Sequence, residues 1–352
     1  MTKKYFIICL IILLFVISMN GSVETNFTFK YGMTDNIYKN WSKIEDSYID
    51  GNMILFYSNK AFTVESVLDY INYFENTEVN FGLLNIEPRY IYPLSLKSDL
   101  IFRAGLNYQS YYNTPYITNG EYNINLTYRY DTLYSFRNDS SIIYNNRIFP
   151  DNNLDYYEFK LNNETTYYID IDKVLNVNLL YGITYWKEKD YYINLVETIN
   201  KTPKDNFFRI DINYENYFSK VIVFDLFLDY EYQKSDLNSV IEIESEDIFE
   251  KDIYSYNSYK LGSSVDLLFE KLSIKLKISY ENKKYNSRNA MDKNNNFLSE
   301  KVFSNIYYFD INVEKELTKK LDFILNFNYE INDSNDYYKN GSGYDLNVGI
   351  SY

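Results

Sequence analysis

The side chains that most often do chemistry are sparse in this chain. Its 352 residues include no histidine, and Cys9 is the single cysteine. The absence of histidine excludes Ser-His-Asp triads, histidine general bases and histidine metal ligands. Carboxylates are abundant but scattered, and on a chain with a formal net charge of −14 they are best explained as solvated surface. We therefore predict no enzymatic activity, no catalytic residues and no cofactor.

Two acidic stretches have some of the chemistry of a metal site. The segment Asp292-Lys-Asn-Asn-Asn296 begins like an EF-hand calcium loop, but Phe297 stands where glycine is required and Glu300 comes too early. The other stretch contains one internal lysine, Lys251, among the acids Glu242, Glu244, Glu246, Asp247, Glu250 and Asp252. A solvated, self-repelling loop explains both stretches better than a specific site does. We predict no metal site.

The segments that would position any functional residue alternate strictly between apolar and polar side chains. The 272–283 segment separates Leu272, Ile274, Leu276, Ile278 and Tyr280 from Ser273, Lys275, Lys277, Ser279 and Glu281. A similar alternation runs through 221–232 and 321–330. A period of two is the signature of a strand with two different faces. The sequence therefore predicts an all-β protein without helices after its first 22 residues.

Turns and loops alternate between these segments. Tight turns are predicted at 171–174, 217–220, 269–272 and 316–320, and the likeness of 72–79 to 216–223 suggests another. Long polar stretches occupy 32–61, 187–205, 233–258, 285–303 and 332–342. Short turns on one side and long loops on the other predict hairpins that share one orientation.

The first residues have the pattern of a secretory signal peptide. Lys3 and Lys4 precede an apolar run from Tyr5 to Met19, and polar residues follow. We predict a cleaved signal peptide over 1–22, with the remaining domain over 23–352. The alternative is a membrane-anchoring helix, for which fifteen apolar residues are short of the roughly 20 that a span requires.

The last nine residues form a strand with one apolar face that begins and ends in tyrosine: Tyr344, Leu346, Val348, Ile350 and Tyr352. This segment resembles the final strand of bacterial outer-membrane β-barrels, in which the terminal aromatic residue helps the assembly machinery to recognise the chain. The resemblance implies a transmembrane antiparallel up-and-down β-barrel in the outer membrane of a diderm bacterium. Its partners would be outer-membrane lipid and the barrel assembly machinery.

The barrel is predicted to have about sixteen strands, with fourteen as the alternative. The count runs from 23–31 to 343–352, treats 78–86 and 89–95 as two short strands, and leaves 52–57 as an optional one. A soluble sandwich would explain the alternation. It would not explain aromatic residues at both ends of the apolar faces, as in Tyr122 to Tyr130, which are typical of a membrane barrel.

Any function must come from the inner wall and the loops, because a fold alone does not specify function. The polar faces are predicted to line the pore with Arg103, Arg129, Arg209, Asp211, Asp225, Asp229, Lys275, Lys277, Asp310, Glu314 and Asp322. Alternatively, these charges pair between strands and only stabilise the wall. Resemblance to porin-like barrels implies passive diffusion of small hydrophilic solutes, and the acidic loops suggest a mild cation preference.

The long loops and the negative net charge bear on other functions and partners. Long polar loops fit a surface adhesin or receptor barrel as well as they fit a porin. The negative net charge argues against nucleic acid as a partner. The sequence leaves the solute, the pore size and the choice between a monomer and a homo-oligomer open.

Overall fold

The alternating segments form strands that pair antiparallel with their neighbours. The computed structural model describes residues 21–35, 45–111, 118–132, 135–149, 155–187, 189–192, 198–236, 239–243, 246–250, 255–294 and 296–352. The predicted signal peptide, apart from its last two residues, lies outside these ranges. Within them, no helix has the length and apolar character that a membrane span requires.

Twenty strands are present in the described ranges. In chain order they are β1 (Ser22–Thr34), β2 (Asp46–Asn59), β3 (Phe62–Tyr73), β4 (Phe81–Ser95), β5 (Ser98–Tyr111), β6 (Asn119–Asp131), β7 (Phe136–Ile148), β8 (Tyr156–Asp170), β9 (Lys173–Trp186), β10 (Lys189–Tyr192), β11 (Thr198–Lys201), β12 (Lys204–Tyr217), β13 (Ile222–Ser235), β14 (Ser239–Ile243), β15 (Glu246–Glu250), β16 (Tyr256–Phe269), β17 (Leu272–Met291), β18 (Phe297–Thr318), β19 (Leu321–Ser334) and β20 (Gly341–Ser351). Two single 3-10 turns, Thr77–Val79 and Tyr337–Lys339, lie in loops.

Sixteen of these strands close into one up-and-down barrel. The wall follows chain order from β1 to β20, and the hairpins β10–β11 and β14–β15 stand outside it. Closure joins β1 to β20 in antiparallel register from Thr28 opposite Ser351 to Thr34 opposite Asp345. Main-chain hydrogen bonds between Phe27 and Tyr352, 2.7 and 2.8 Å long, extend this seam to the last residue. The predicted class and strand number are therefore confirmed.

The wall has an apolar outer face and a polar inner face, as the alternation predicts. Ile124, Ile278 and Phe102 are 61%, 56% and 45% exposed on the outside. Apolar contacts are spread around this surface, and one buried cluster joins Tyr57, Val64 and Ile86 on β2 to β4. On the inside, the rings of aromatic residues cover glycines of the neighbouring strands: Tyr48 covers Gly32, Phe207 covers Gly182 and Phe227 covers Gly262.

The connections at the two rims differ in length. Turns of two to four residues join the strands at 60–61, 96–97, 132–135, 171–172, 218–221, 270–271 and 319–320; we call this rim the turn end. Longer connections lie at 35–45, 74–80, 112–118, 149–155, 187–203, 236–255, 292–296 and 335–340; this rim is the loop end. At 292–296 the loop itself is short because β17 and β18 are the longest strands. The four tight turns predicted with definite bounds all lie at the turn end.

The strand count of sixteen conceals two errors that offset each other. The predicted loop 32–61 contains β2, and the two predicted strands 78–86 and 89–95 are the single strand β4. Apolar residues run unbroken from Met53 to Tyr57 on β2, so its alternation is obscured. In β4, Pro88 interrupts the ladder to β5, but pairing with Val64 of β3 carries the strand through.

Two further expectations were wrong about the loops. The segment 72–79, predicted as a tight turn, lies at the loop end, where Asp46 organises it by accepting hydrogen bonds from the backbone of Glu75 and Asn76. Most of the predicted loop 285–303 consists of strand, because β17 and β18 continue pairing past a bulge between Lys284 and Asn289.

Candidate functional site

The inner wall is the place where the structure gathers polar side chains. All eleven residues predicted from the sequence lie on inward faces of their strands: Arg103 on β5, Arg129 on β6, Arg209 and Asp211 on β12, Asp225 and Asp229 on β13, Lys275 and Lys277 on β17, Asp310 and Glu314 on β18, and Asp322 on β19. Each alternates with outward residues such as Leu226 and Leu276 that are 44% and 39% exposed.

An arginine patch lies on the inner face of β4 to β7. Arg89 and Arg103 are direct cross-strand partners. Arg129 makes two 2.8 Å hydrogen bonds to the carboxylate of Asp139, and Arg137 makes a third of the same length. The charges of Arg103, Arg129 and Arg137 all lie within electrostatic range of Arg89. Like charges placed directly opposite each other destabilise a strand pair, so this part of the wall holds unfavourable positive charge.

Sequence reasoning missed three members of this patch: Arg89, Arg137 and Asp139. Arg89 follows Pro88, where the sequence predicts a break between two strands, and its pairing with Arg103 exists only because β4 is continuous. Arg137 and Asp139 lie at the start of β7. They alternate with Asn138 and Ser140, which are also polar. The sequence pattern at this point therefore does not indicate which side chains face the inside of the barrel.

An acidic sector lies across the closure of the barrel, on β18 to β20 and β1 to β3. Its inward carboxylates include Asp310, Glu330, Asp345, Asp50 and Asp69. Within the described part of the chain, Lys30 is the ion-pair partner found for this group, with its Nζ 3.6 Å from the Asp50 carboxylate. A cavity of about 340 Å³ opens here towards the loop end and is lined by Asp310, Glu330, Asp345, Tyr73 and Tyr308.

Between these sectors, β12 to β17 carry charges that are largely paired. Arg209 contacts Asp211 at 2.5 Å, and Lys275 lies 3.1 Å from Asp266 and 3.8 Å from Asp225. Lysines also lie over aromatic faces: Lys277 over Phe227 at 4.7 Å, Lys260 over Tyr308 at 4.0 Å and Lys283 over Tyr256 at 3.6 Å. Pairing between strands therefore applies to Arg129, Asp225 and Lys275, whereas Arg209 and Asp211 pair with each other within β12.

Most of the first acidic stretch and part of the second lie among the described residues. Asp292 accepts backbone hydrogen bonds from Asn294 at 2.8 Å and Asn296 at 2.9 Å, which closes the tip of the β17–β18 hairpin. Hydrogen bonds from the side chain and backbone of Asn296 hold the pKa of Asp292 below its usual range. In the other stretch, Glu242 is the register partner of Asp247 in the β14–β15 hairpin, and Glu244, Lys251 and Asp252 lie outside the described residues. No group of three potential metal ligands is found among the residues that the structure describes.

The 335–340 loop at the loop end contacts the projecting β17–β18 hairpin. Asp336, fully buried in the 335–340 loop, lies 3.6 Å from the guanidinium of Arg288 on β17. Asn335 accepts a hydrogen bond from the backbone of Phe303 at 2.8 Å and donates one to the carbonyl of Lys301 at 2.9 Å. The hairpin and this loop therefore form one ordered surface above the wall.

Comparisons with known proteins agree with the architecture. No family model and no curated protein matches the chain. Among solved structures, OccAB3 of Acinetobacter baumannii superimposes with a TM-score of 0.53 at 9% identity, over 95% of this chain and 99% of that one. CdiB from Acinetobacter baumannii gives 0.54 at 10% identity, over 93% and 60% of the two chains. A bacterial polysaccharide outer membrane secretin gives 0.51 at 9% identity, over 93% and 96%. The chain has the fold of bacterial outer-membrane β-barrels, and identities this low show the fold alone.

Proposed function

We propose that this barrel is a porin-like channel in the outer membrane of a diderm bacterium and allows passive diffusion of small hydrophilic solutes. The observation that carries the proposal is the inner wall, on which charged and polar side chains alternate with the lipid-facing residues in sector after sector. Closed barrels of 16 to 18 strands are wide enough to leave an aqueous channel. A lumen lined in this way is favourable for water and unfavourable for apolar solutes.

The proposed selectivity is a mild preference for cations. The acidic sector, together with the acidic loop over 233–258, gives a negative potential that concentrates cations within a Debye length of about 10 Å at 0.1 M salt. The arginine patch near the turn end opposes this potential. Because the two act at different sectors of the wall, the net preference should be small and should fade as salt rises.

Single-channel recording in a planar bilayer tests the channel. Purified protein should give discrete, stable conductance steps, and heat-denatured protein should give none. Silence in repeated reconstitutions of correctly folded barrel would overturn the proposal.

Thiol labelling then assigns the current to this lumen. Asn328 is inward and exposed, whereas its neighbour Phe327 is outward. A bulky cationic methanethiosulfonate should reduce the conductance of an Asn328→Cys variant and leave that of Phe327→Cys unchanged. Equal responses would show that the current does not pass along the assigned inner face.

The second candidate function is a surface adhesin or receptor, and the ordered β17–β18 hairpin favours it. Ala290 and Val302 near its tip are fully buried, so the projection has packed apolar side chains of its own. Replacing 284–303 by a short turn separates the two functions. A channel should keep its conductance, whereas an adhesin should lose binding to extracellular-matrix proteins or polysaccharides that the intact protein binds.

A further inference from the structure

A group of uncharged polar side chains lies on the outer, lipid-facing side of the wall. Asn138 and Ser140 on β7 share their face with Ile142, and Asn163 and Thr165 on β8 share theirs with Leu161. The outward direction of this face is clear because Ile142 is 59% exposed and Leu161 is 56% exposed. We call the four polar residues the amide notch.

The four side chains are connected by hydrogen bonds. The Asn138 amide donates to the Thr165 hydroxyl at 2.8 Å, and the Asn163 amide donates to the Ser140 hydroxyl at 2.9 Å. Ser140 in turn donates to the Asn138 carbonyl oxygen at 2.9 Å. Internal bonding of this kind lowers the cost of facing hydrocarbon, but it leaves a polar surface where the rest of the wall offers aliphatic contacts.

The depth of the notch is set by two aromatic pairs on the same strands. Phe136 packs on Tyr167 towards the turn end, with ring centroids 5.3 Å apart, and Tyr144 packs on Phe159 towards the loop end, at 5.1 Å. The span of eight residues between Phe136 and Tyr144 covers about 20 Å along the membrane normal for a strand tilted by roughly 40°.

Three outward cross-strand pairs lie between those aromatic pairs: Asn138 with Thr165, Ser140 with Asn163, and Ile142 with Leu161. Two of the three are polar. Elsewhere on the outer face the mid-strand serine Ser263 stands between Leu226 and Ile278 as a single hydroxyl. The notch therefore extends from the position beside the Phe136–Tyr167 aromatic pair to the middle of the apolar belt, where the Ser140–Asn163 pair lies.

The notch is also a depression in the wall. The short side chains of Ser140 and Asn163 form the floor of a hollow of about 500 Å³ bordered by Tyr128 on one side and Leu179 and Tyr181 on the other. Tyr128 is the register partner of Ser140, so a tall ring with a polar tip stands beside the hollow at the same height. A projection and a hollow at one height make this face complementary to itself.

We propose that the outer face of β7 and β8 is the contact surface for a second copy of this chain. Copies of a membrane barrel insert in one orientation, so a symmetry axis that relates them runs along the membrane normal and equal heights meet. Amides and hydroxyls both donate and accept hydrogen bonds, so the notch of one copy offers partners to the notch or Tyr128 of the other. A lipid acyl chain offers neither, and no channel activity is required for the contact.

Single-cysteine crosslinking tests the surface directly, since Cys9 is the only cysteine of the chain. In a Cys9→Ser background, Ser140→Cys should give covalent multimers with a short bismaleimide in native membranes. The matched control, Ser263→Cys, is also an outward mid-strand serine and should remain monomeric. Equal crosslinking of the two variants, or a monomeric mass for the unmodified protein in lipid nanodiscs, would overturn the proposal.

A second variant separates association from folding. Replacing Ser140 and Asn163 together by leucine fills the hollow and suits a lipid contact. It should weaken association by about tenfold or more, as expected from losing one or more hydrogen bonds across the contact. Heat resistance of the folded barrel on detergent gels should be kept or improved. If the double variant assembles as the unmodified protein does, the notch is not the contact surface.

Discussion

The assignment of faces is tested most sharply on β19 by placing one arginine on either side of the wall. Leu325 is outward, between Val313 of β18 and Val348 of β20, and it is the fifth residue from the turn end of its strand. An advance of about 2.5 Å per tilted residue places it roughly 10 Å into the membrane. Arginine near the middle of the lipid face costs about 2 to 4 kcal/mol.

The inward control is Asn328, whose cross-strand partners are Asp310 and Asp345. An arginine there meets two carboxylates at an exposed site, where an ion pair contributes about 0 to 1 kcal/mol. Asn326→Arg is a second inward control. It should lose about 1 kcal/mol, because Asn326 donates a 2.8 Å hydrogen bond to Asn347.

The measurement is reversible folding into phospholipid vesicles across a urea gradient, with the gel shift between boiled and unboiled samples as the readout. Leu325→Arg should fold at least about tenfold less favourably than Asn328→Arg, since 1.4 kcal/mol corresponds to a factor of ten. Equal losses of folding free energy in Leu325→Arg and Asn328→Arg would contradict the assigned faces. A Leu325→Arg variant that folds as well as the unmodified protein would contradict the contact of residue 325 with lipid.

Three further perturbations follow from the site and the wall. Asp139→Asn removes the carboxylate shared by Arg129 and Arg137. It should shift the reversal potential under a salt gradient towards anion selectivity. It should also reduce the free energy of unfolding by about 1 to 3 kcal/mol, which is less than the loss expected on breaking a fully buried ion pair. An unchanged reversal potential would place the arginine patch outside the conducting path. Gly349→Ala should destabilise barrel closure by about 1 to 3 kcal/mol, because the new methyl group would meet the backbone of β1. The control Gly51→Ala has open space around the new methyl group and should fold normally. The refolding yields of the two variants in vesicles test this difference. Neutralising four loop acids together should reduce the mild cation preference at 0.1 M salt; the four are Glu242, Glu244, Glu246 and Asp247. Strong anion selectivity of the unmodified protein would refute the claim that the acidic loop favours cations.

Much of the architecture could be predicted from local pattern alone. Strands such as β17 and β19 sort their residues into two faces, and side chains alternate in direction along any strand. This is why all eleven predicted lumen residues lie on inward faces, and why Tyr344, Leu346, Val348, Ile350 and Tyr352 all lie on the outer face of β20. Their role as an assembly signal stays a prediction.

Prediction failed where pairing, rather than alternation, decides the structure. β2 is a strand because β1 and β3 pair along its length, and β4 continues through Pro88 because β3 supports it. The arginine patch depends on the register between β4 and β5, and its shared carboxylate on that between β6 and β7. Sequence spacing contains no information about register between strands that only the closed sheet brings together.

The sequence by itself determined an all-β chain with alternating faces, short turns opposite long loops, and a chemistry without histidine. These are local properties, set by side-chain polarity and the period of two in an extended backbone. The tertiary structure decided which charges share a sector, which of them pair, and where the amide notch lies in the apolar belt. Those are properties of closure, because only a closed sheet fixes the register of each strand against both of its neighbours.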